Sequence, residues 1–159
     1  MQKITVIAMG KLTNAAFRSA AEDYLRRMSK SYSVTVTELK PEPLSQNPSA
    51  GEIGKALERE AGRILEAIPQ KSAVVAMCVE GREMSSPDMA AWIEKSAQTS
   101  PELCFIIGSS FGLHESVKNR ANLRLSFSKM TFPHELFRVM LYEQIYRCAE
   151  IIAGSRYHK

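Results

Sequence analysis

A regular alternation of short apolar runs with longer segments of helical periodicity constrains the fold of this chain more than any other feature. Two of these runs, at residues 73–79 and 103–107, are almost uninterrupted, as is typical of parallel strands covered on both faces. Strands are predicted at residues 3–8, 33–39, 73–79, 103–107 and 123–127. Helices are predicted at residues 14–29, 49–68, 114–120 and 133–153, and from near Ser86. This order predicts an α/β domain with a mainly parallel sheet flanked by helices.

Length and composition favour one soluble domain. A chain of 159 residues can bury a substantial core but is too short for two comfortable ones, so a single domain over residues 1–159 is predicted. Hydrophobic content of 45% with 24% charged residues is ordinary for a soluble protein, and no apolar run is long enough to span a membrane. Residues 4–9 are interpreted as a strand rather than a signal peptide. We expect a cytoplasmic protein with no membrane partner.

The cysteines and the net charge bear on disulfides, metal sites and polyanionic partners. Cys78, Cys104 and Cys148 are widely spaced, with no Cys-x-x-Cys pair and no histidine at ligand spacing. We therefore expect buried, reduced thiols and no metal site. The formal charge of +4 and the isoelectric point near 9.0 permit a polyanionic partner without demonstrating one, so the distribution of charge matters more than its total.

Two loops in the last third of the chain form the candidate binding region. Residues 108–112 follow the fourth predicted strand, and residues 128–132 follow the fifth, just before the last helix. Ligands of parallel sheets bind outside the carboxyl ends of the strands, where loops expose backbone groups. Chemistry is therefore expected at this edge of the sheet.

The first of these loops also permits a different interpretation. Its sequence, Gly-Ser-Ser-Phe-Gly, fits the Gly-x-Ser-x-Gly motif, which offers Ser110 as the nucleophile of a serine hydrolase with His134 or His158 as its base. Glycines and serines are also the usual material of a tight turn, and no oxyanion-loop sequence is present. The turn interpretation is favoured, and the hydrolase stays as an alternative.

The last predicted helix carries two apolar stripes. One face holds Phe137, Leu141, Ile145, Cys148 and Ile152. A neighbouring face holds Leu136, Met140 and Ile151. The apolar arc is wider than packing on one sheet requires, so we predict that a second copy of the chain covers the remainder in a homodimer.

Residues 125–134, Leu-Ser-Phe-Ser-Lys-Met-Thr-Phe-Pro-His, closely resemble the signature of the ribosomal large-subunit pseudouridine methyltransferases, family H of the SPOUT class. The similarity covers essentially the whole chain. Further matching segments are residues 4–12, 60–65, 106–108, 112–113, 138–139, 143–147 and 157–159, and Gly81. The resemblance implies a SPOUT α/β fold with a C-terminal trefoil knot. The knot rests on the resemblance alone, since true knots are nearly absent from other proteins.

By resemblance, the cofactor is S-adenosylmethionine, bound in the knot without a metal. The matching positions are Met77, Gly108, Phe127, Ser128, Lys129, Met130, Thr131 and Phe132. The aromatic and methionine side chains suit an adenine slot, and a glycine tolerates close approach of a ligand. One departure is that Ser109 stands where the family commonly has a second glycine, which matters only if that residue needs a positive φ angle.

The resemblance further implies methylation at N3 of a pseudouridine in helix 69 of 23S rRNA, with the assembled ribosome as substrate. Loss of the N3 proton needs a base or a nearby cation, and the candidates are Tyr157, His158 and Arg138, with the tail of one subunit lying over the knot of the other. The candidate phosphate contacts are Lys118, Arg120, Arg124, Lys129, Arg156 and Lys159. A ribosome-binding factor that does not bind S-adenosylmethionine is the other alternative.

Overall fold

Five strands alternate with five helices in the computed structural model, which describes residues 1–159. The strands are β1 (Gln2–Met9), β2 (Tyr32–Leu39), β3 (Ala73–Glu83), β4 (Glu102–Ile107) and β5 (Leu123–Ser126). The helices are α1 (Ala15–Met28), α2 (Ala50–Ala67), α3 (Ser86–Ala97), α4 (Glu115–Arg120) and α5 (His134–Ile152). Every predicted element is present, and most ends agree within one or two residues.

All five strands belong to one parallel sheet in the order β2-β1-β4-β3-β5. The predicted α/β architecture with a parallel sheet is therefore confirmed. Because β3 lies between β4 and β5 and all three run parallel, their carboxyl ends are neighbours along one edge of the sheet. The trefoil knot concerns how the chain threads through itself, and it stays a prediction.

Helices cover both faces of the sheet, which explains the uninterrupted apolar strands. Along β1, Ile4, Val6 and Ala8 belong to the core shared with α1, α3 and α5, whereas Ile7 and Met9 belong to the core shared with α2 and α4. All five side chains are buried. A strand with both faces covered needs apolar residues at successive positions, which is why alternation is absent from β1, β3 and β4.

The helix starts follow from local sequence. Asn14 accepts hydrogen bonds from the first backbone N–H groups of α1, and Ser49 forms with Glu52 the predicted capping box of α2. Ser85 caps α3 by accepting from the backbone N–H of Asp88. Each side chain satisfies a donor that the first helical turn leaves unpaired.

The strand β3 differs from its prediction because it continues past Val79 to Glu83. Leu125 of β5 is opposite Met77 in one register and opposite Arg82 in the next, so residues 78–81 bulge between two stretches of pairing. A Cβ at Gly81 would lie 2.7 Å from the Leu125 carbonyl carbon, so only glycine lets the two backbones approach this closely. The strand β5 ends at Ser126, one residue before its predicted end.

Replacing Gly81 by alanine is expected to lower the free energy of unfolding by about 1–3 kcal/mol, the usual cost of overpacking. The added methyl group would overlap the backbone of Arg124 and Leu125 and push β3 away from β5. Urea denaturation of the two proteins measures the difference.

The matched control is Gly62→Ala in α2, where an added Cβ has no neighbour within 4 Å. This substitution is expected to stabilise the protein by up to about 1 kcal/mol through helix propensity. Equal stability of the wild type and Gly81→Ala would contradict the close approach described at this position.

Candidate active site

A cavity of about 600 Å³ opens at the carboxyl ends of β3, β4 and β5, at the edge where the sequence places a binding region. Seven of the eight residues assigned to cofactor binding line it. They are Met77, Gly108, Phe127, Ser128, Met130, Thr131 and Phe132. The eighth, Lys129, is exposed and is not part of the lining.

Three phenylalanine rings form an aromatic wall in this cavity. The ring centroids of Phe127 and Phe137 are 5.1 Å apart, and those of Phe132 and Phe137 are 6.5 Å apart. Sequence reasoning placed Phe137 only on a core stripe of α5, because helical periodicity does not reveal that the start of the helix faces a cavity. Together the three rings offer an apolar, aromatic surface against which a heterocycle can pack.

The bulge in β3 supplies another part of the wall. Cys78, Val79 and Glu80 line the cavity, and all three belong to the unpaired stretch between the two registers of β3 and β5. Burial raises the pKa of the Cys78 thiol, with the Glu80 carboxylate adding to the effect, so this sulfur stays protonated at neutral pH. Apart from Gly81, no residue pattern in this segment indicates a bulge.

Residues 108–112 fold back on themselves in a tight turn. The backbone N–H of Gly112 donates to the carbonyl of Ser109 at 2.9 Å, and Gly112 has a φ angle of +87°. A Cβ at Gly108 would overlap the Gly112 carbonyl, so the first glycine is needed for contact within the loop. The favoured interpretation of this sequence as turn material is confirmed.

Ser109 joins this turn to α2 by a side-chain hydrogen bond, which accounts for a serine at this position. Its hydroxyl donates to Oε1 of Glu60 at 2.6 Å, and Oε2 of Glu60 accepts from the backbone N–H of Glu42 at 3.0 Å. The Glu60 side chain is buried, so both hydrogen bonds compensate the desolvation of its carboxylate. The φ angle of Ser109 is not positive, and the departure from glycine leaves the backbone unstrained. Sequence reasoning missed this contact between residues 49 positions apart.

His134 begins α5 and lines the cavity between the ends of β1 and β4. A Cβ placed on Gly10 would lie 4.0 Å from its Cε1 atom, and the backbone of Gly108 is beside the ring. Burial lowers the pKa of His134, and the positive charge of Arg138 lowers it further. The imidazole is therefore neutral at pH 7.

No hydrolase arrangement surrounds Ser110. The residue lines the same cavity as His134, but no hydrogen bond joins the Ser110 hydroxyl to a histidine, and the Nε2 atom of His134 is buried without a partner. His158 instead contacts Arg147. A serine nucleophile needs a base within hydrogen-bond reach, so the geometry gives the hydrolase interpretation no support.

Arg138 lies in the second turn of α5, where it is buried, and it does not line the cavity. Its guanidinium donates to Oε2 of Glu38 and to the carbonyl of Gly10, each at 2.6 Å. Only 1% of the side chain is exposed. Within one chain its positive charge is compensated by Glu38, and its contacts join α5 to the ends of β1 and β2.

The C-terminal tail packs on the far half of α5. The Tyr157 hydroxyl donates to Glu143 at 3.2 Å, and its ring meets Tyr146 edge-on with centroids 4.9 Å apart. The Arg147 guanidinium lies 4.8 Å from the centroid of the Tyr157 ring. Neither Tyr157 nor His158 lines the cavity of its own chain.

The candidate phosphate contacts divide into paired and unpaired cations. Lys118 forms an ion pair with Glu80, and Arg124 pairs with Glu115 at 2.9 Å. Arg120 and Lys129 are exposed and have no acidic partner. Acidic neighbours compensate the first two charges, which sequence spacing did not indicate because Glu80 is 38 positions from Lys118.

Other site chemistry is limited. The three cysteines are free thiols, and the predicted burial is confirmed for Cys104 and Cys148, whereas Cys78 is only half-buried. No group of three or more histidine, cysteine, aspartate or glutamate side chains is arranged to hold a metal ion. None of the five helices combines the length and the apolar content that crossing a bilayer requires.

Comparison with known proteins assigns the chain to a protein family. Residues 2–158 match the family described as "Predicted SPOUT methyltransferase". The chain is similar in fold to a solved structure described as a probable methylase family protein from Haemophilus influenzae, with a TM-score of 0.54 and 12% identity, covering 98% of this chain and 70% of that one. The chain belongs to the SPOUT methyltransferases.

Two relatives align with this chain along almost its whole length. The ribosomal RNA large subunit methyltransferase H of Clostridium beijerinckii is 43% identical over 157 residues, which cover 98% of this chain and 99% of the relative. The protein of the same name from Oenococcus oeni is 39% identical over 160 residues, which cover all of both chains. The chain therefore belongs to the ribosomal RNA large subunit methyltransferase H family, which confirms the resemblance found in residues 125–134.

Removal of the Ser109 hydroxyl tests whether Glu60 holds the turn. Ser109→Ala deletes one hydrogen bond to a buried carboxylate and is expected to lower the local opening free energy by about 1–2 kcal/mol. Amide hydrogen exchange at Gly112 should accelerate by about five- to thirtyfold. The control Ser72→Ala deletes a hydroxyl bond to the Pro69 carbonyl away from the cavity and should leave Gly112 unchanged.

Acid titration tests the buried imidazole. The unfolded chain protonates His134 below its ordinary pKa of 6.5, whereas the folded chain does so only at lower pH, so stability is complete above that value and falls beneath it. The loss should reach at most about 1.4 kcal/mol per pH unit until the lowered pKa is passed. Urea unfolding of His134→Asn should show a weaker pH dependence there.

The control for this titration is His158→Asn on the exposed tail, which should keep the wild-type dependence. The carboxylates whose pKa is lowered, such as Glu80, titrate below 4.5 and so outside the window. Identical curves for wild type and His134→Asn would exclude His134 as the source.

Proposed function

We propose that this chain transfers a methyl group from S-adenosylmethionine to N3 of a pseudouridine in helix 69 of 23S rRNA, acting on the assembled ribosome. The observation that carries the proposal is a cavity at three adjacent strand ends, lined by five of the six residues 127–132, whose sequence resembles the family signature. The printed names of the relatives support large-subunit rRNA as the substrate class.

The cavity suits S-adenosylmethionine in size and in chemistry. Its volume of about 600 Å³ lies within the usual range for small-molecule sites. Met77, Gly108 and the signature loop would hold the cofactor, with the phenylalanine wall against its adenine. When bound, the cofactor supplies an electrophilic methyl group on a positively charged sulfur. The neutral state of His134 and the pairing of Lys118 avoid placing an unpaired positive charge beside it.

Deprotonation of the target base is assigned to the tail of a second subunit. An imide N3–H must lose its proton before or during attack, and no carboxylate other than Glu80 lines the cavity. We assign His158 as the group that takes this proton and Tyr157 as the group that binds or stacks on the base. Since both lie outside the cavity of their own chain, the proposal requires a homodimer in which the tail crosses over.

Exposed apolar groups support such a dimer and a covered site. Val79, Phe111 and Met130 line the cavity, and their exposures are 47%, 48% and 74%. The second stripe of α5 also stays partly exposed at Leu136, Met140 and Ile151. Apolar surface concentrated in this way is typical of interaction sites. Arg138 acts in this proposal as a positioning residue, because its charge is compensated by Glu38.

RNA binding is assigned to the unpaired cations. Lys129 lies exposed between lining residues of the cavity, Arg120 is exposed at the end of α4, and Arg156 and Lys159 add positive charge on the tail. These groups would contact phosphates, which fix the position of RNA without reading its sequence. A chain with no recognisable separate RNA-binding module depends on a structured target, which is consistent with a ribosome as the substrate.

The proposal is tested by methyl transfer from labelled S-adenosylmethionine to ribosomes isolated from cells lacking this protein, with mapping of the modified nucleotide. Label at a single helix 69 pseudouridine is expected. Label at another nucleotide would overturn the proposed target. Ribosome binding without any binding of S-adenosylmethionine would favour a non-catalytic ribosome-binding factor instead.

The tail is tested with substitutions. His158→Ala is expected to lower kcat by about 10²-fold or more, the usual contribution of a general base, while Tyr157→Phe should have a smaller effect. The affinity for S-adenosylhomocysteine should stay within about threefold, because neither side chain lines the cavity.

Mixed dimers distinguish a tail acting across subunits from one acting within its own chain. Thr131→Trp fills the cavity from an exposed position, and His158→Ala removes the base, so each homodimer should be inactive. A dimer with one subunit of each kind keeps one intact cavity facing one intact tail and should regain activity. Absence of activity in the mixture would contradict action across the interface.

A further inference from the structure

One carboxylate and one ammonium group face the cavity together. Glu80 projects from the bulge of β3, Lys118 projects from α4, and the two form an ion pair. His134 is neutral at pH 7, so no other side chain in the lining carries a full charge. The rest of the lining consists of apolar, hydroxyl, thiol and glycine groups. The cavity therefore offers one positive and one negative charge at a single place.

Most of the hydrogen-bonding capacity of this pair is unused. Oε1 of Glu80 accepts from Lys118, and no other side chain donates to this carboxylate. The Lys118 ammonium carries three donors, and Glu80 takes one of them. The Glu80 side chain is 54% exposed, and an ion pair with an exposed member contributes little to stability. The pair has room to bind a ligand that carries both charges.

We infer that Glu80 and Lys118 recognise the zwitterionic amino-acid end of the methyl donor, with Glu80 accepting from its α-ammonium group and Lys118 donating to its α-carboxylate. This inference rests on the proposed function, because it places S-adenosylmethionine in the cavity. Ligand and protein then form four alternating charges. The hydrogen bond from Lys118 lowers the pKa of Glu80 and keeps it ionised at neutral pH.

This assignment changes the role expected for Lys118. Sequence reasoning placed it among the phosphate contacts, yet only 16% of its side chain is exposed and Glu80 compensates its charge. A phosphate contact on the surface would favour an exposed lysine such as Lys129. An amino-acid zwitterion instead benefits from a lysine that has its counter-ion in place, because a single positive charge would repel the α-ammonium group.

Calorimetry with three ligands tests the inference without RNA. The ligands are S-adenosylhomocysteine, 5′-methylthioadenosine, which lacks the amino-acid end, and decarboxylated S-adenosylhomocysteine, which lacks only the carboxylate. The wild type should bind methylthioadenosine about ten- to hundredfold more weakly than S-adenosylhomocysteine, as expected for loss of charge-assisted hydrogen bonds. In the wild type, loss of the carboxylate should weaken ligand binding. In Lys118→Met, the affinities for S-adenosylhomocysteine and for the decarboxylated ligand should be nearly equal.

Two single variants and one control complete the design. Glu80→Gln and Lys118→Met should each weaken S-adenosylhomocysteine binding by about tenfold or more and change methylthioadenosine binding by less than about threefold. The control Glu115→Gln breaks the neighbouring pair with Arg124, which lies outside the cavity lining, and should change neither affinity.

The charge-reversed double variant, Glu80→Lys with Lys118→Glu, distinguishes two roles of this ion pair. One is recognition of the ligand, and the other is a purely structural contact between α4 and β3. The double variant keeps an ion pair but exchanges the positions of its charges, so recovery of S-adenosylhomocysteine binding would overturn the inference, and continued loss supports it. Equal loss of both ligands in the single variants would also overturn it. Failure of the wild type to bind S-adenosylhomocysteine at all would overturn the proposed function itself.

Discussion

The ion pair between the buried Arg138 and the more exposed Glu38 is the contact on which the rest of the site depends. A guanidinium taken out of water must be paired and hydrogen-bonded, and here Glu38 at the end of β2 and the Gly10 carbonyl after β1 accept from its two terminal nitrogens, while Nε has no partner. The pair therefore fixes where α5 begins. His134 and Phe137, on the first turn of that helix, take their places in the cavity wall as a result.

The shape of the cavity depends on close backbone packing and tight turns at the ends of three strands. Gly81 allows β3 to cross β5 closely, and the residues that bulge before it become part of the wall. Gly108 and Gly112 fold the loop after β4 into a turn, and the buried carboxylate of Glu60 holds that turn through Ser109. The side chains left facing inward are then mostly uncharged, which leaves the Glu80–Lys118 pair as the charged feature.

The fold was largely predictable because its signals are local. Apolar runs and capping residues such as Ser49 and Glu52 depend on neighbours within a few positions, and the cavity edge follows from strand direction. What the sequence did not reveal lies in contacts between distant residues. The hydrogen bond of Ser109 to Glu60, the ion pair of Lys118 with Glu80 and the extension of β3 all join segments that no periodicity connects.

The strand order also has a consequence for how the molecule forms. Pairing Lys3 of β1 with Glu102 of β4 closes a loop of roughly a hundred residues, and β3 can join the sheet only beside β4. Native contacts of such long sequence separation slow folding. The short edge strand β5 leads into the loop that completes the cavity, so a chain still being synthesised has no binding site until nearly all of it has emerged and ordered.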